Sequence, residues 1–101
     1  MPLPVGTVTF LFSDIEGSTR LEQGVGTDTY ARIIETHDHL ARAAIEARGG
    51  SLVKTEGDAM FAAFPDAGAA VEAAADVQRA FAAEPWPDGA TIRVRMGLHT
   101  G

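Results

Sequence analysis

A length of 101 residues, 46% of them apolar, suffices for one hydrophobic core and leaves no room for a second domain within these residues. A formal net charge of −6 leaves no basic field to neutralise a phosphate polymer, so DNA and RNA are not expected partners. With no cysteine, disulfides, thiolate metal sites and thiol catalysis are excluded.

Met1 to Pro4 has no basic lead, and the apolar run that follows is too short for a signal peptide or a membrane span, so the expectation is a cytoplasmic chain with no membrane contact. From Thr7 to Ser13, Val8, Phe10 and Phe12 point one way and Leu11 the other, which predicts a strand covered on at least one side and ending at Asp14. Ile15-Glu16-Gly17-Ser18-Thr19 reads as a short turn of small residues. From Tyr30 the apolar residues recur at helical spacing through Ile33, Ile34, Leu40, Ala41, Ala44 and Ile45 until Gly49-Gly50, predicting a helix over residues 27–48. Ser51 to Thr55 and Met60 to Phe64 read as two strands joined by Glu56-Gly57-Asp58, a hairpin turn. The alanine-rich stretch 67–83, capped by Asp66, predicts a second helix with Val71, Ala74, Ala75, Gln78 and Phe81 near one face. Pro85 to Gly89 breaks it. Ile92, Val94, Met96 and Leu98 then alternate with polar residues as a half-buried strand that runs almost to Gly101, as though the chain were cut there.

The order βαββαβ predicts a ferredoxin-like α/β (α+β) sandwich. Right-handed crossovers, each leaving room for one strand, give an antiparallel sheet of order 4-1-3-2 with two helices on one face. The first and third strands are then central neighbours, and the end of one lies beside the start of the other. Those points are Asp14 and Asp58. Two carboxylates with a carbonyl such as that of Ile15 form the hard-oxygen set that magnesium or manganese prefers when its remaining ligands are water and phosphate. The turn amides of residues 15–19 are placed to meet such phosphates, although no Walker loop is present.

Three segments in this order carry a resemblance. Phe12 to Thr19, Lys54 to Asp58 and Arg95 to Gly101 resemble the first metal motif, the hairpin motif and the fourth-strand signature of class III nucleotidyl cyclase catalytic domains. The resemblance covers the whole chain but only a little more than the first half of such a domain. It implies that Asp14 and Asp58, with the Ile15 carbonyl, bind two Mg2+ or Mn2+ ions, and that Ile15, Glu16, Gly17, Ser18 and Thr19 contact a triphosphate. Lys54 stands where the family's purine-selecting lysine stands, which implies ATP rather than GTP. The implied reaction is conversion of ATP to 3′,5′-cyclic AMP and pyrophosphate. The implied assembly is a head-to-tail homodimer in which Lys54 of one subunit serves the carboxylates of the other. The second base selector and the transition-state asparagine and arginine would lie beyond Gly101, so these residues alone are expected to turn over little or nothing. Ala59 stands where many relatives have glycine.

Each residue also has a plainer reading. Asp14 alone is a strand-end residue, Asp58 a turn residue tolerant of left-handed backbone, and Lys54 a solvated strand lysine. Glu16 and Glu56 read as exposed turn acids. His37 and His39, two apart on a helix, face different ways and do not form a metal set with His99; His37 reads as a packed histidine. Arg93 and Arg95 read as lining a solvated or interface-facing side, and Trp86 as a loop anchor. A non-catalytic nucleotide-binding or dimerisation module of a larger signalling protein is the alternative to an adenylate cyclase domain. A diguanylate cyclase or polymerase palm would share the paired carboxylates; the hairpin lacks Gly-Gly-Asp-Glu-Phe, which counts against the first of these.

Overall fold

The computed structural model describes residues 6–101. Four strands, β1 (Thr9–Ile15), β2 (Ser51–Glu56), β3 (Ala59–Phe64) and β4 (Val94–Thr100), form one antiparallel sheet in the order β2-β3-β1-β4, as the connectivity predicts. Helices α1 (Ser18–Val25), α2 (Thr27–Ala47) and α3 (Ala67–Ala83) complete the mixed α+β architecture, with a 3-10 turn at Pro87–Gly89.

Strand β1 is longer than its apolar run. Its residues 9, 11, 13 and 15 are buried under the helices, while Phe10, Phe12 and Asp14 occupy the opposite face. Pairing with β4 carries the strand through Asp14, opposite Arg95, to Ile15, opposite Val94. Part of the predicted first strand, Thr7 and Val8, precedes the observed one. The core lies between the inner face and the helices, where Leu11, Phe64, Ile33, Ile45 and Val77 are fully buried. Each such side chain contributes about 1.5–3 kcal/mol relative to an exposed one. The second glycine of the α2–β2 turn has a packing reason: a Cβ on Gly50 would lie 2.4 Å from the Phe64 ring.

Two helical expectations need correction. Residues 15–19 are not all turn, because Ser18 opens α1, a helix with no fully buried residue whose Leu21 and Val25 pack against the core. In α3 the buried residues are Ala70, Ala73, Val77 and Phe81; of the predicted face Phe81 is buried and Ala74 packs partly against the core, but Val71 is 54% exposed and Gln78 is exposed. The strand predicted from Ile92 begins at Val94, and Ile92 is buried ahead of it.

Trp86 anchors its loop as expected. Its indole N–H donates to the Phe81 carbonyl at 2.9 Å, and its ring meets Phe81 edge-on at 5.5 Å. His37 is a core histidine, 1% exposed, with Nδ1 2.8 Å from Asp38 Oδ1.

Candidate metal and nucleotide site

The β1–β3 register pairs Ser13 with Met60, so the end of β1 and the hairpin ahead of β3 fall side by side. The hairpin turn puts left-handed backbone on Gly57 (φ 59°), a conformation glycine adopts without steric cost. Asp58 is therefore not needed at its position for backbone freedom. Its Oδ2 accepts the Ile15 amide at 2.8 Å, which ties the hairpin carboxylate to the residue following Asp14.

Asp14 faces outward from β1, where its cross-strand neighbour is Arg95. Arg95 Nε donates to Asp14 Oδ1 and its NH2 group to Oδ2, each at 2.9 Å, a parallel two-bond pair. The two side chains remain 42% and 65% exposed, so solvent screens the attraction. The Asp14 carboxylate, foremost through hydrogen bonding and then by charge, raises the Arg95 guanidinium above its usual value. Composition and periodicity hide this pair; the antiparallel register reveals it.

Tyr30, on α2, was likewise not a sequence candidate. Burial chiefly, and then the Asp58 carboxylate, raise its phenol above 10.0, against a lowering interaction with the Ser18 side chain. The hydroxyl is therefore neutral at physiological pH and belongs to the surroundings of Asp58 and the start of α1. Spacing gave no sign of this, because Tyr30 reads as one more apolar residue of a helix face.

The segment 15–19 is divided in its bonding. The Ile15 amide is committed to Asp58, and the Glu16 amide donates to the Arg93 carbonyl at 2.7 Å. Gly17 (φ 67°) begins α1 without a side-chain cap, so the amides of the first helical turn, at Ser18 and Thr19, have no acceptor within the helix. Such a turn attracts anions. Lys54 stands apart on edge strand β2, opposite Phe61, with Nζ 3.4 Å from the exposed Glu56. The fold thus brings Asp14, Ile15 and Asp58 together and leaves Lys54 elsewhere on the sheet.

Asp14, Asp58 and the Ile15 backbone offer oxygen donors only, which suits a hard cation. Among the described residues no group of three or more His, Cys, Asp or Glu side chains could hold a metal ion. Two carboxylates cannot fill the coordination of such a cation alone, so the set fits an ion that keeps water or takes phosphate oxygens from a ligand. No helix of the described residues is long and apolar enough to cross a membrane.

Comparison with known proteins bears on this arrangement. The family described as the adenylate and guanylate cyclase catalytic domain matches residues 2–101. The adenylate cyclase of Mycosarcoma maydis is 36% identical over 118 residues, spanning 97% of this chain and 5% of that protein. An uncharacterized protein of Mycobacterium tuberculosis is 42% identical over 100 residues, again 97% of this chain, and 32% of that protein. The crystal structure of the monomeric guanylyl cyclase domain of the RhoGC fusion protein from the aquatic fungus Blastocladiella emersonii superposes with a TM-score of 0.87 at 26% identity. It covers 94% of this chain, which spans 60% of that one.

Proposed function

The chain belongs to the adenylate and guanylate cyclase catalytic domain family, and from that premise we propose that it supplies the metal-holding part of an adenylate cyclase domain acting on ATP. The observation that carries the reading is the tie between Asp58 and the Ile15 amide beside Asp14. Two acidic groups from distant parts of the chain are held together at the surface, where a phosphorylated ligand has access.

In this reading Asp14 and Asp58, with the Ile15 carbonyl, would hold two Mg2+ or Mn2+ ions. When bound, such ions would supply Lewis-acid chemistry, making the ribose 3′-hydroxyl more acidic and offsetting the negative charge of the phosphates. The Ile15 N–H fixes the Asp58 carboxylate, sparing the site the cost of ordering it. The start of α1 at Gly17, Ser18 and Thr19 presents amides to the triphosphate, while Glu16 marks the boundary, its own amide already bonded within the chain. Lys54 donates to adenine N1. Its separation from Asp14 and Asp58 suits a head-to-tail homodimer in which each site draws on both subunits. The aromatic row of half-buried Phe10 and Phe61 with exposed Phe12 supports placing the partner on the outer sheet face; Phe12 stacks on Phe61 at 4.7 Å, yet stays 47% exposed. Adenylate cyclase relatives and the lysine type at position 54 favour ATP over GTP, in a cytoplasmic setting.

The test is cyclic nucleotide formation from ATP and from GTP with Mn2+, by residues 1–101 and by a version extended to the length of a complete cyclase domain. Cyclic AMP is the expected product of the extended chain, with at least about a 10²-fold lower rate from residues 1–101. Exclusive use of GTP would overturn the substrate assignment. Nucleotide binding without turnover in the extended chain would identify a regulatory module instead.

A further inference from the structure

We propose that Arg95 is a positioning residue of the metal site, a built-in counter-ion that holds Asp14 while no cation is bound and competes with the cation for it. The inference rests on the reading of Asp14 and Asp58 as cation ligands. Register is its first support: Asp14 and Arg95 are directly opposite on β1 and β4, so backbone pairing sets the two side chains against each other. Its second support is occupancy. Both oxygens of Asp14 accept from Arg95, and Asp58 Oδ2 accepts from Ile15, so three of the four carboxylate oxygens are engaged from within the chain.

The two engaged partners differ in kind. The Ile15 amide is neutral and can stay bonded to Asp58 when a cation binds another lone pair. The Arg95 guanidinium carries a full positive charge against the same carboxylate, so an arriving cation meets like-charge repulsion until Arg95 turns away. The pair orients Asp14 in the free chain and reduces the affinity of the site for a cation that arrives without another anionic partner. Its 65% exposure gives the side chain room to swing aside and keeps the effect modest.

Mn2+ titration in the absence of nucleotide, read from the electron-spin signal of the free ion, tests this directly. Arg95→Met and Arg95→Gln, which remove the charge, are expected to bind Mn2+ roughly two- to fivefold more tightly than the parent chain. Arg95→Lys, which keeps the charge, stays near the parent. The gain disappears when Arg95→Met is combined with Asp14→Asn. Unchanged or weaker binding in both neutral variants, an equal gain in the Asp14→Asn background, or no binding by any chain would overturn the proposal. The underlying site reading fails by a separate result, in which neither Asp14→Asn nor Asp58→Asn alters Mn2+ binding. Urea unfolding of each variant identifies any change that comes from loss of fold.

Discussion

The Asp58 carboxylate accepts the Ile15 amide at 2.8 Å, so neutralising this side chain and removing it are different perturbations. Asparagine keeps an acceptor oxygen where alanine leaves a partly buried N–H without one. In urea unfolding, Asp58→Asn is expected to stay close to the parent and Asp58→Ala to lose about 1 kcal/mol, while both lose divalent-cation binding. Equal stability losses would mean that the bond to Ile15 does not hold the hairpin. That the end of β1 lies beside the hairpin ahead of β3 was legible in the sequence, because strand order follows from connectivity. The partners of the Asp14 and Asp58 carboxylates were not legible. Arg95 alternates with apolar residues as any solvated strand arginine does, and only the residue-by-residue register places it opposite Asp14.

Among the elements, α2 and the four strands were readable because their apolar periods are strong or their turns carry glycine and proline. Helix α3 was readable in extent but not in phase. Alanine occurs on every side of it, so an apolar count does not distinguish the buried row of Ala70, Ala73, Val77 and Phe81 from its neighbours. Helix α1 escaped because it has eight residues, includes Gly24 and offers only Leu21 and Val25 as apolar anchors, too little for a period to show. The start of α3 was clear, and Asp66 caps it as predicted, its Oδ1 accepting the Ala69 amide at 2.8 Å. Asp66→Ala is expected to cost about 1 kcal/mol in urea unfolding, and Asp66→Ser to recover most of it. If serine recovers nothing, the loss comes from something other than the cap.

At the scale of the whole molecule, the sheet has one face under helices and, among the described residues, no helix on the other, and the proposed site spreads over that second face. Asp14, Phe12 and Phe10 share that face with Arg95 and Phe61, and Lys54 joins it through its pairing with Phe61. This distribution gathers the acidic groups at the end of β1 and the β2–β3 hairpin and leaves Lys54 along the edge strand. The fold class and sheet order were open to reading because right-handed crossovers leave few ways to arrange βαββαβ. The proposed reaction comes only through the resemblance, because carboxylates at strand ends suit several phosphate chemistries. The central claim is that Asp14 and Asp58 jointly hold a divalent cation, and a Mn2+ titration followed by backbone amide resonances tests it most directly. Paramagnetic broadening should begin at Asp14, Ile15 and Asp58 and be lost in an Asp14→Asn, Asp58→Asn double variant; broadening that starts elsewhere, or persists unchanged in the double variant, would contradict the claim.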